Sequence, residues 1–288
     1  MLSGDYMIKI NCVAVTSVGK VRDNNEDNFY INEYFKKSTS TLYEQYEDNN
    51  RRKQYLYAVC DGMGGEELGE VASMIAVKTL VQYQKTDIKS TIMDYIQEAN
   101  KLICNEIKKN AGVRIGTTLA LLFITAGKAI AYNIGDSRVY LFRNNKLMQL
   151  SEDHTQVQRL VDMGLLEKDA AANHKDRHKL TQHLGIFPDE LILEPHVSQE
   201  IDLEQNDIFL LCSDGLTDMV SDDDIADILS DKKEGPESMT EMLISKALEN
   251  GGKDNVTVVL LKVDMQQVLG KIIKLITRPL NNTARRCL

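Results

Sequence analysis

The chain of 288 residues is long enough to bury a substantial core, and it reads as one large domain followed by a short tail. Its 34 basic and 43 acidic residues give a net charge of −9, which argues against general affinity for nucleic acid or for an anionic membrane. Five scattered cysteines (Cys12, Cys60, Cys104, Cys212, Cys287) form no CxxC pair, and no stretch nears the ~20 apolar residues of a membrane span, so a soluble, cytoplasmic protein is expected; a monomer is expected as well.

In chain order, residues 9–15 and 28–33 read as strands, and the polar stretch 38–53 reads as a long exposed loop. Gln54–Cys60 is a further strand, and a helix is expected over 67–83. Ile88, Ile92, Ile96, Ala99, Ile103 and Ile107 recur at helical spacing and mark one apolar face of a second helix. Four short strands follow, over 118–124, 129–134, 139–142 and 147–150. The breaks between them are hairpin-sized, a pattern that predicts an antiparallel meander. Residues 155–179 are helix-like, broken at Gly164 and dense in charge, as in a surface excursion. After a strand over 207–212, Ser221 with Asp222, Asp223 and Asp224 reads as a capped helix start rather than a metal site. Pro236–Glu249 is a helix with Pro at its start and Gly251 past its end, and 256–263 is a strand. Strands and helices come in runs, so the expected fold is α+β, an antiparallel β-sandwich of two sheets flanked by helices. That domain spans 1–264. The tail, 265–288, holds Lys271, Lys274, Arg278, Arg285 and Arg286 without an acid, beside an apolar face that includes Ile272 and Ile276. It suits either peripheral contact with a membrane or packing on the acidic body.

Acidic residues recur in short breaks beside these strands: Glu26 and Asp27, Asp61, Asp136, Asp214, and Asp254. Crowded carboxylates repel one another unless cations neutralise them, and hard oxygen ligands select Mg²⁺, Mn²⁺ or Ca²⁺. Two such ions about 3.5–4 Å apart activate a shared water for hydrolysis. Asp61 and Asp214 sit at the exits of their strands and Asp254 at the entry to its own, so antiparallel packing allows all three to meet at one edge. Gly62 and Gly215 allow close approach of the backbone, which suits a carbonyl ligand.

The ordered segments Arg22 to Asp27, Asp61 to Gly65, Gly116 to Thr118, Gly135 to Arg138, Ser213 to Leu216 and Asp254 to Thr257 resemble the metal-dependent Ser/Thr protein phosphatases of the PP2C (PPM) family. The likeness runs from about Val13 to Val263 and implies a four-layer α/β/β/α fold. Carried over by position, it implies that Asp61 bridges two Mn²⁺ or Mg²⁺ ions with the Gly62 carbonyl on one, and that Asp214 and Asp254 hold the other. Glu26 and Asp27 would act largely through waters, Asp136 would help hold a third, weaker ion, and Arg22 would grip the substrate phosphate with its fork. Substrates would be phosphoproteins of a Ser/Thr kinase, and residues 155–180 would correspond to the variable flap of bacterial members. Met63 stands where eukaryotic members carry a His proposed as general acid, whereas bacterial-type members often have Met; the chain thus resembles the bacterial type.

His154 reads as a first-turn residue of a helix capped by Ser151, with a proton shuttle as its alternative. His174, His178 and His183 read as surface residues rather than a zinc site. Two rivals to the phosphatase reading are an Asp-nucleophile phosphatase and a non-catalytic phosphoprotein-binding regulator. The first usually has a second Asp two positions on, where this chain has Leu216 or Met63. The full carboxylate set weighs against the second.

Overall fold

A computed structural model describes residues 6–267, apart from 40, 42, 65–67, 172–173 and 232–233. The expected basic tail therefore lies, from 268 onward, outside the described residues.

Two antiparallel sheets stack face to face. One orders its strands Lys146–Gln149, Arg138–Arg143, Ile208–Cys212, Val256–Gln267, Tyr6–Ser17 and Tyr43–Asp48. The other runs His196–Val197, Lys128–Ile134, Leu119–Thr125, Gln54–Cys60, Asn28–Ile31 and Tyr34–Phe35, with Ile201–Asp202 also paired to Lys128–Ile134. The period of two explains the layers. In Gln54–Cys60, Tyr55, Tyr57 and Val59 enter the core between the sheets, while Leu56, Ala58 and Cys60 pack toward helices Gly69–Tyr83 and Ile88–Lys109. In Ile208–Cys212, Phe209 and Leu211 face the other sheet, while Ile208, Leu210 and Cys212 pack toward helices Asp222–Ser230 and Pro236–Glu249. Because both faces of these strands are buried, they are apolar throughout instead of alternating. The four-layer sandwich is the expected one.

Three local expectations are corrected. The four-strand meander is in fact two hairpins in different sheets: Leu119–Thr125 pairs with Lys128–Ile134, and Arg138–Arg143 pairs with Lys146–Gln149. Residues 135–137 carry the chain from one sheet to the other, since strands apolar on both faces fit a crossing as well as a hairpin. The stretch 38–53 is not all loop, because Tyr43–Asp48 adds an edge strand to Tyr6–Ser17. Few apolar residues mark it. Tyr46 stacks on Tyr34 with ring centroids 3.5 Å apart, and buried Asp48 accepts a hydrogen bond from Asn32 at 3.0 Å. Ser151 caps no helix; its Oγ accepts from Val139 N at 3.0 Å, and Thr155 caps Gln156–Asp162 by accepting from Gln158 N at 3.0 Å. Helix Gln156–Asp162, the Gly164 turn and Lys168–Ala171 form the expected excursion.

Candidate metal centre

The acidic residues meet at one end of the sandwich, and both sheets contribute. Asp27 precedes Asn28–Ile31 and Asp61 follows Gln54–Cys60 in one sheet, where Asn28 is registered with Cys60. Asp214 follows Ile208–Cys212 and Asp254 precedes Val256–Gln267 in the other, where Cys212 is registered with Val258. Asp136 lies in the crossing between the sheets. The expected single sheet edge is thus the shared end of two sheets.

Asp61 is fixed through its backbone. Its N–H donates to Thr118 Oγ1 at 3.0 Å, and its carbonyl accepts from Thr118 N at 2.9 Å and Thr117 Oγ1 at 2.8 Å. Desolvation first, then the charges of Asp27, Asp214, Asp136 and Asp254, push the Asp61 carboxyl well above the usual carboxylate range. Gly62 has no room for a side chain, because a Cβ would come within 2.3 Å of the Gly69 carbonyl oxygen and 2.5 Å of that of Glu26.

Asp27 is fully buried. Its Oδ2 accepts from Ser213 Oγ at 2.8 Å and Thr257 Oγ1 at 2.7 Å, so Ser213 orients a carboxylate and is no nucleophile. Its Oδ1 is buried without a hydrogen-bond partner among the described residues. Desolvation raises the Asp27 pKa to about 6 against those two hydroxyl bonds, and desolvation together with Glu70 raises Glu26 to about 7. Lys36, 1 % exposed, donates to the Asn25 carbonyl at 2.7 Å and supplies a fixed positive charge beside Asp27; burial lowers its pKa to about 8. Burial also pushes Asp136 well up, and Asp214 and Asp153 push it further.

Arg22, 54 % exposed, donates to Asp254 Oδ2 at 2.7 Å. The two residues line a cleft of about 410 Å³ with Asp214, Asp218, Lys253 and His178. Lys253, a second cation on this rim, and His178 were not singled out as functional, because nothing local distinguishes either from its charged neighbours. His154 stays neutral at ordinary pH: burial lowers its pKa to about 4, and its Nδ1 accepts from Gly135 N at 3.3 Å, pinning the crossing. His183, expected at the surface, is half-buried with Nδ1 3.0 Å from the Leu184 carbonyl oxygen.

The residues fit divalent cations. They present only oxygen at the core of the cluster, repel one another without a counter-charge, and include a buried, unpartnered carboxylate oxygen. Fold and site together are those of a metal-dependent hydrolase. The family model for protein phosphatase 2C matches residues 46–243, and the chain belongs to that family. It is 34% identical over 261 residues to the serine/threonine phosphatase Stp of Listeria welshimeri, spanning 88% of this chain and 95% of the relative. Identity to the protein phosphatase PhpP of Streptococcus pneumoniae is also 34%, over 263 residues, with 87% and 96% covered. Among solved structures, the Mycobacterium tuberculosis serine/threonine phosphatase PstP superimposes with a TM-score of 0.72 at 31% identity, covering 89% of this chain and 99% of that one. The PstP catalytic domain in complex with two manganese ions gives a TM-score of 0.72 at 30% identity, with 89% and 99% covered.

Proposed function

We propose that the protein is a metal-dependent serine/threonine phosphatase that hydrolyses phosphoserine and phosphothreonine monoesters on protein substrates. One observation carries this reading: Asp27, Asp61, Asp136, Asp214 and Asp254 converge from both sheets on one end of the sandwich, under a cleft rimmed by Arg22 and Lys253. The names of the relatives and the manganese-bound PstP domain support it. Asp61 with the Gly62 carbonyl, Asp214 and Asp254 would hold two Mn²⁺ or Mg²⁺ ions, with Glu26 and Asp27 beside them and Asp136 at a weaker third. Bound there, the ions would supply an activated water and positive charge against the phosphate.

The chain's own residues do the rest. Thr117 and Thr118 hold the Asp61 backbone, and Ser213 and Thr257 engage one oxygen of Asp27 while the other has no hydrogen-bond partner among the described residues. An exposed ion pair such as Arg22 with Asp254 contributes about 0–1 kcal/mol, so a phosphate dianion can draw the guanidinium away. Arg22 then binds it through the planar fork. Met63 has no proton to give, so the leaving oxygen takes its proton from another group. The opposing enzyme would be a Ser/Thr kinase, and the chain would work as a cytoplasmic monomer. No helix among the described residues is long and apolar enough to cross a membrane.

The test is turnover of a phosphothreonine peptide. Hydrolysis should require Mn²⁺ or Mg²⁺ and stop in EDTA; full activity in chelator would end this reading.

A further inference from the structure

The His178 side chain reaches the carboxylates from a segment outside both sheets. His178 belongs to the excursion that follows helix Gln156–Asp162, and its ring lies between two acids of the other wall. Nδ1 is 3.4 Å from Asp214 Oδ2, and Nε2 is 3.3 Å from Asp218 Oδ2. Asp136, His178 and Asp214 each offer a ligand atom, and these three atoms lie within 4.8 Å of one another. Apart from a bond from its own N–H, the Asp136 carboxylate is engaged by no hydrogen bond or ion pair among the described residues.

Two carboxylates and an imidazole facing a common point form a donor set for a divalent ion. Asp218 sits behind the far ring nitrogen, where carboxylates behind metal-bound imidazoles fix the tautomer and the plane of the ring. Arg177, from the same excursion, reaches Asp218 at 3.4 Å, so two neighbouring residues dock on one acid.

We propose that His178 supplies a nitrogen ligand to a divalent cation shared with Asp136 and Asp214, with Asp218 orienting the ring. The proposal rests on the metal-dependent reading above and deepens it. The site then differs in chemistry from the oxygen-only pair: Mn²⁺, though it favours oxygen, accepts an imidazole nitrogen more readily than Mg²⁺, which keeps to oxygen ligands and its own waters. The ion also ties the excursion to the catalytic end. Exposed Met163 and Leu165 lie on that segment, so their position would be fixed relative to the catalytic end only while a nitrogen-accepting metal is present.

The test is calorimetric titration of the full chain with Mn²⁺ and, separately, with Mg²⁺, beside His178→Ala and Asp218→Asn. Wild type should bind two Mn²⁺ tightly and one more weakly. His178→Ala should weaken only the third Mn²⁺, by about 10–100-fold, and Asp218→Asn should weaken it by roughly tenfold, the scale seen when support behind a metal ligand is lost. The Mg²⁺ isotherms should not change. Mn²⁺ but not Mg²⁺ should also slow proteolysis within residues 163–179 of wild type, and the effect should vanish in His178→Ala. An unchanged third Mn²⁺ in both variants, or equal losses for Mn²⁺ and Mg²⁺, overturns the nitrogen ligand while leaving the phosphatase reading intact. A wild-type chain that binds no Mn²⁺ tightly overturns both.

Discussion

Asp61 carries the sharpest conflict between folding and chemistry. Its backbone is tied at both ends by Thr118, yet its carboxylate feels the charges of four others. Asp61→Asn should therefore have opposite effects on activity and stability. Removing this proposed metal ligand should lower kcat by about a hundredfold or more, since metal-borne charge stabilisation is worth several kcal/mol. The same change relieves repulsion, so the melting temperature in EDTA should rise; a fall would show that the ionised carboxylate stabilises the metal-free fold. Arg22→Ala should raise KM for a phosphopeptide by roughly tenfold with little change in kcat if Arg22 has the proposed role of ground-state phosphate binding. Unchanged KM would remove Arg22 from substrate binding. Asp61, Asp214 and Asp254 were legible in the sequence because each sits in an Asp-Gly or Asp-Asn break at a strand end. Lys36, His178 and Lys253 were not, because each acquires its neighbours only through tertiary approach: Lys36 by burial beside Asp27, His178 by docking on residues 36 and more positions away.

At the scale of elements, the strand starting at Leu119 also serves the site through Thr118. The Thr118 hydroxyl accepts from Asp61 N and pairs with Ser137 Oγ at 2.7 Å, linking Asp61 to the crossing that carries Asp136. Thr118→Val keeps the shape but leaves two buried groups unsatisfied. It should cost about 1–3 kcal/mol by urea denaturation and lower activity with metal present. A variant as stable and as active as wild type would show that the hydroxyl link is dispensable. Most strands and all three long helices were legible from periodicity. The paths between them were not, because strands buried on both faces look the same whether they turn back or cross to the partner sheet. The edge strand Tyr43–Asp48 escaped notice because backbone pairing and one tyrosine stack hold it, rather than an apolar stripe.

For the whole molecule, the acidic end makes stability depend jointly on pH and metal. Glu26 and Asp27 rise from ordinary values of 4.5 and 3.8 to about 7 and about 6, and Asp61 rises well above its own. A carboxylate whose pKa is raised on folding binds protons as the chain folds. Its stabilising effect is complete below the unfolded pKa and is lost as pH climbs through the folded one. The metal-free protein should lose melting temperature between about pH 5 and about pH 7.5, and Mn²⁺ should restore more at the higher pH, where the ligands are free of protons. Equal restoration at both would show that these carboxylates do not hold the ion. A different consequence follows from the register Tyr6 to Gln267 through Ser17 to Val256. Val256–Gln267 lies between Ile208–Cys212 and Tyr6–Ser17, so without it the sheet falls into two pieces. Thr16 and its partner Thr257 are 241 positions apart, on the order of ten to fifty seconds of synthesis at ~5–20 residues per second. Through that interval a nascent chain would carry two open strand edges next to exposed apolar side chains, the combination most prone to pairing with the wrong neighbour. The strand that completes the catalytic end is thus also the one that ends the chain's exposure to aggregation on the ribosome.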